Sequence, residues 1–195
     1  MIVSKLELID LYIKKGYSVS QISRGLGCSE NTINYWIKKF DIPKRNISDA
    51  MYKRHNPNGD PFKFSYPVTI EKAKLLGIGL GLYWGEGNKV DKNSIRLGNT
   101  DPKLIKKFID FLVNICKITP EKLRFGLQIF SDTDPKHALE YWINAIDFPR
   151  KHFLPTVVVS PARGEGSYRK KSMYGVLTVY FHNKKLKSLL MDMLN

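Results

Sequence analysis

Residues 75–89, Leu-Leu-Gly-Ile-Gly-Leu-Gly-Leu-Tyr-Trp-Gly-Glu-Gly-Asn-Lys, restrict the fold more than any other stretch of this chain. The run is apolar, carries Gly77, Gly81 and Gly85, and ends in one carboxylate, Glu86. A glycine costs a helix about 0.8–1.0 kcal/mol relative to alanine, so three are a poor choice for a helix that stands alone. Spaced four apart, they fall on one face and clear it of side chains. A second helix can then approach backbone to backbone, as in small-xxx-small packing. The pattern predicts a close helix–helix contact with Glu86 at its end. There the carboxylate meets the partial negative charge of the helix terminus. A divalent cation reverses that sign, and Mg2+ is typically held by one or two carboxylates with waters and phosphate oxygens. An ordinary core helix, with a solvated Glu86 and a glycine C-cap at Gly87, fits the same letters.

The first clear unit upstream is residues 3–45. Leu6, Ile9 and Ile13 mark one face of a helix that stops at Gly16. Ser18-Val19-Ser20-Gln21 reads as a capping box opening a second helix with Val19, Ile22 and Leu26. Gly27 breaks it, and Ser29 caps a third helix with Ile33, Trp36, Ile37 and Phe40 inward. The arrangement resembles a helix-turn-helix, with small Ser23 where the two helices cross. In that motif the start of the second helix lies in the major groove, which places Glu30, Asn31, Thr32, Asn34, Tyr35 and Lys38 outward. Asn31 and Asn34 suit an adenine edge and Lys38 a phosphate. A small helical adaptor without a nucleic-acid role is the competing reading.

Net charge supports a polyanionic partner. The chain of 195 residues carries a formal +14, which points to double-stranded DNA. Its longest uncharged apolar run, residues 75–85, is too short for a bilayer, which needs about 20 residues. No membrane partner and no small-molecule substrate are expected. Lys5, Glu7 and Asp10 argue against a signal peptide. Cys28 and Cys116 lie singly in apolar segments, consistent with a reduced, cytoplasmic protein, nucleoid-associated when bound. Neither they nor the scattered His55, His137, His152 and His182 show metal-ligand spacing. Residues 46–66, with Asn56-Pro57-Asn58-Gly59-Asp60-Pro61, read as a basic linker with one short helix near 47–53. The four cations in and beside it, Lys44, Arg45, Lys53 and Arg54, suit the phosphate backbone, although charged linkers are also common without that role.

Residues 67–195 read helix, strands, helix, strands, helix. The glycine-rich helix spans about 70–85, a strand 94–98, and a helix with Leu104, Phe108, Phe111, Leu112 and Ile115 runs to about 116. A strand at 122–131 alternates Leu123, Phe125, Leu127 and Ile129 with polar neighbours. Asp132-Thr133-Asp134-Pro135 opens a helix with Ala138, Leu139, Trp142 and Ile146. Strands at 155–160 and 174–181 flank a loop, and residues 184–194 close as a helix. The class is α+β, an antiparallel sheet with helices on one face. The other face, with Arg96, Arg124 and Gln128, is left for DNA. Between Arg150 and Lys187 nine Lys/Arg stand against one acid, Glu165, and such a surface binds duplexes with steep salt dependence. Arg163, Arg169, Lys170 and Lys171, in or beside the Gly-rich loop, are further expected contacts, unless the loop is simply solvated.

Gly79-Leu80-Gly81-Leu82-Tyr83-Trp84-Gly85-Glu86-Gly87 resembles the nonapeptide signature of the LAGLIDADG homing endonucleases. The strand that follows, then Asn99-Thr100-Asp101-Pro102 and a helix, is also similar to that family, and the resemblance covers roughly residues 65–195. It departs at Trp84, where many members carry a second acid. The resemblance implies a LAGLIDADG-type fold, with Glu86 as catalytic acid and metal ligand, supported by the Gly85 carbonyl. It implies Asn99 and Gln128 as candidates for positioning water or metal, and a supporting lysine for which Lys184 or Lys185 fits best.

One acidic motif per chain constrains mechanism, because cutting both strands needs two active sites. The resemblance implies a homodimer through Gly77, Gly81 and Gly85 on a pseudo-palindromic site, with Mg2+ or another divalent cation. Two functions follow: a site-specific double-strand DNA endonuclease whose helix-turn-helix extends its footprint, or a transcriptional regulator using the same fold silently. Glu86 favours the endonuclease, since a binding-only protein has no physical need for a carboxylate that repels phosphates.

Overall fold

The computed structural model describes residues 3–159 and 172–194. Contacts divide the chain into two compact units, Met1–Asp60 and Pro61–Asn195. The division falls inside the segment 46–66, for a packing reason. Phe62 and Phe64 lie against the core of the second unit, and Lys63 N–H donates to the Cys116 carbonyl at 3.0 Å.

In the first unit, α1 (Lys5–Ile9) continues as a π-helical turn (Asp10–Lys14) and stops at Gly16, whose φ of 70° is left-handed. The buried stripe is Val3, Leu8 and Tyr12, while Leu6 is 80% exposed and Ile13 is also exposed. This corrects Leu6 and Ile13 of the expected Leu6/Ile9/Ile13 face, while Ile9 is half-buried against the same core. Apolar residues at 6, 8, 9, 11, 12 and 13 write two overlapping stripes, and the core takes the one with Leu8 and Tyr12, four residues apart. The Tyr12 phenol oxygen also accepts the Arg45 N–H at 3.1 Å.

The capping box at α2 (Val19–Leu26) is complete. Gln21 N–H donates to Ser18 Oγ at 3.1 Å and Ser18 N–H to Gln21 Oε1 at 2.9 Å. Gly27 ends α2 in the left-handed conformation, and Ser29 caps α3 (Glu30–Lys39). Ile22, Ile33, Ile37 and Ile42 join Leu8 in one small core, with Ser23 buried between the helices. A fourth helix, α4 (Ile47–His55), is capped by Asn46 and buries none of its residues.

The second unit opens with α5 (Ile70–Glu86), capped by Thr69. Strand β1 (Ile95–Asn99) leads to α6 (Pro102–Asn114), and β2 (Arg124–Phe130) to α7 (Pro135–Ile146). Both helices start alike: Asp101 and Asp134 accept the N–H groups of Lys103 and Lys136, each with proline at the first helical position. Strands β3 (Val157–Val159) and β4 (Val176–Phe181) complete the sheet, and α8 (Lys184–Leu194) packs on α5.

The strand order is β1-β4-β2-β3. β4 pairs antiparallel with β1 and β2, but β3 runs parallel to β2. The sheet is therefore mixed, which corrects the expected antiparallel sheet. Alternation records which face is buried, not which way a neighbour runs, so a three-residue edge strand leaves its direction unwritten. One face packs Leu97, Phe125, Leu127 and Val179 against Phe108, Phe111 and Trp142 of the helices. The other face is uncovered among the described residues of this unit and carries Arg96, Tyr180 and Arg124 in one row across three strands.

Candidate nucleic-acid interface and acidic helix end

Helix α5 has two unlike glycine faces. A Cβ on Gly79 would collide with the Phe111 ring, so that glycine is required by the core. Gly77, Gly81 and Gly85 have no atom within 4 Å of where a Cβ would stand. Among the described residues of the second unit nothing packs on their face, and Trp84 beside it is 69% exposed.

The helix ends at Glu86, which is exposed. Gly87 follows in extended backbone, φ −74°, not as a left-handed cap. It is glycine because a Cβ would run into the Tyr83 ring and carbonyl. This close approach lets Gly87 bridge Leu97 and the Asn88 N–H donate to the Arg96 carbonyl at 2.9 Å. The end of α5 is thereby tied to the edge of β1.

Lys187, one turn into α8, was not singled out by the sequence reasoning. It is 3% exposed, and its Nζ donates to Tyr83 Oη at 2.6 Å and to the Asn88 carbonyl at 2.7 Å. Tyr83 Oη donates to the same carbonyl at 2.9 Å. Burial pulls the ammonium below the ordinary lysine range, and Lys89 adds to this while Asp91 opposes it. Burial also pushes the Tyr83 phenol up to about 12. A lysine within an amphipathic helix reads as solvated, and only the α5–α8 packing turns this one inward. Lys184 and Lys185 stand at the exposed start of α8.

The polar loop after Asn88 is also built. Asp91 accepts from the N–H groups of Asn93 and Ser94 and from Ser94 Oγ, and it pairs with Arg96 at 2.5 Å. These bonds, the Asn93 N–H first, hold its carboxyl below the usual range.

Of the residues grouped with Glu86 by sequence, Asn99 lies on β1, two residues from the Leu97 that Gly87 bridges, and Gln128 lies on β2. Asn99 shares the core-side alternation of Ile95 and Leu97, and its Oδ1 accepts the Asp101 N–H at 2.9 Å. Gln128 is exposed on the open face of β2, opposite Val176 and Val157. Two strand spacings, about 10 Å, separate β2 from β1, whose edge the end of α5 meets. Among the described residues, no three His, Cys, Asp or Glu side chains gather in a metal-ligating group.

Several basic residues expected at DNA are engaged internally. The Arg45 guanidinium donates to the carbonyls of Gly16, Tyr12 and Tyr17 at 2.5–2.9 Å and lies over the Tyr12 ring. Arg96 is held by Asp91 and Ser94, and Arg124 donates to the carbonyls of Glu121 and Leu123. Lys38 and Lys44 are exposed. Arg163, Arg169, Lys170 and Lys171 lie outside the described residues.

A family model described as a homeodomain-like domain matches residues 3–43. No curated protein and no solved structure matches the chain. The match and the observed α2–turn–α3 geometry make the first unit a homeodomain-like helix-turn-helix, which suggests DNA as its partner. No helix among the described residues is long and apolar enough to cross a membrane.

Proposed function

We propose that the protein is a site-specific DNA-binding protein whose second unit, resembling the LAGLIDADG endonucleases, cuts both strands as a homodimer. The observation that carries this reading is α5, with Gly77, Gly81 and Gly85 on an uncovered face and an exposed Glu86 at its end. Two such helices can abut at backbone distance and bring two carboxylates to one axis. Each chain then contributes one acid to the cleavage of one strand.

The donor set fits a hard cation, since Glu86 and the Gly85 carbonyl offer oxygen alone. When bound there, Mg2+ supplies activation of water and neutralisation of charge on the phosphate oxygens. The chain's own part is positional. Lys187 and Tyr83 hold the Asn88 carbonyl, and Gly87 bridges β1, so the backbone that follows Glu86 is fixed before DNA arrives.

A binding-only regulator is the second reading, favoured by the confinement of the family match to residues 3–43. Incubating supercoiled plasmid libraries with wild type and Glu86→Gln, with and without Mg2+, separates the two. Metal-dependent linearisation that Glu86→Gln abolishes supports the endonuclease. Duplex binding without nicking by either protein transfers the assignment to the regulator.

A further inference from the structure

Helix α3 turns Ile33 and Ile37 into the core, with Trp36 and Phe40 half-buried beside them. On the opposite side, at 100° per residue, lie Asn31, Tyr35 and Lys38, all exposed. Internal bonds sort the polar side chains that sequence alone leaves equivalent. Asn34 Nδ2 donates to the Glu30 carbonyl at 3.0 Å, so one half of its amide belongs to the helix. Thr32 Oγ1 is hydrogen-bonded to the capping Ser29 Oγ at 3.0 Å. Lys39 is drawn over the Trp36 and Tyr35 rings, 4.7 and 5.6 Å from their centroids. Asn31 makes no side-chain hydrogen bond among the described residues. Tyr35 stands edge-on to Trp36 at 5.3 Å and is 58% exposed.

We propose that α3 reads duplex DNA through the single row Asn31–Tyr35–Lys38, with Asn31 as the adenine-reading amide. A carboxamide with donor and acceptor both available matches adenine N6–H and N7 in the major groove. Asn34 keeps a second N–H and its Oδ1, but its bond to the Glu30 carbonyl holds the half-buried amide back along its own helix, whereas Asn31 is exposed. One turn on, the exposed Tyr35 ring presents an apolar surface suited to a thymine methyl, and Lys38 a further turn on takes phosphate. The assignment rests on the DNA-binding reading of the first unit and not on cleavage.

The test is selection of bound sequences from random duplexes by the full chain, with divalent cations removed by chelation. Wild type is expected to enrich a motif containing one A·T pair that Asn31→Ala devalues about ten-fold. Asn31→Arg should move the preference at that pair toward guanine, a gain that misfolding cannot produce. Asn34→Ala should select the wild-type motif. The assignment is overturned if both Asn31 variants keep the adenine, or if Asn34→Ala loses it. Wild type that binds no duplex would remove the DNA-binding reading itself, and the assignment with it.

Discussion

Arg45 and Lys44 are adjacent cations with different jobs. Arg45 closes the carbonyls left open where the first helix ends, so Arg45→Ala is expected to destabilise the first unit by about 2 kcal/mol, read by urea unfolding. Lys44→Ala should leave stability unchanged and lower the salt slope of duplex binding by about one. Buried acids in the second unit give a pH signature. The Cys116 thiol is raised from 9.0 to about 12 and the Tyr83 phenol from 10.0 to about 12, both by burial. Folded values above unfolded ones mean a contribution complete below pH 9 and lost as pH climbs toward 12. Unfolding titrations should lose about 1 kcal/mol by pH 10 through Cys116, a loss that Cys116→Ala removes. Lys187, pulled down by burial, acts in the opposite sense.

At the level of elements, the two glycine faces of α5 make opposite predictions. Gly79→Ala drives a methyl into Phe111 and should cost about 1–3 kcal/mol. Gly81→Ala meets open space, so the isolated chain should gain up to about 1 kcal/mol while self-association weakens. Thermal melts paired with sedimentation give both readings. The elements themselves were largely legible. Caps at Ser18, Ser29 and Asp134 and strict alternation in β2 state their boundaries in local letters. What sequence could not state depended on distant partners. Which stripe of the first helix is buried depends on its packing with Ile22, Ile33 and Ile37, and the direction of β3 on its pairing with β2. The inward turn of Lys187 needed α8 to lie on α5. At the site, Glu86 at a helix end was legible, whereas Asn99, on the strand that Gly87 bridges, and Gln128, two strands away on β2, were grouped with it by analogy.

Over the whole molecule, a net charge of +14 predicts duplex affinity that falls steeply with salt, whichever function holds. Charge alone does not set stoichiometry. In the proposed endonuclease the glycine face would set it, because one chain supplies one acidic helix end and double-strand cleavage needs two. The direct measurement is the mass of the protein–DNA complex, by sedimentation on a selected duplex, for wild type and Gly81→Leu. Two wild-type chains per duplex, reduced to one by a leucine that blocks the helix approach, is the result this account predicts. One wild-type chain per duplex, or two chains that Gly81→Leu leaves together, would contradict it.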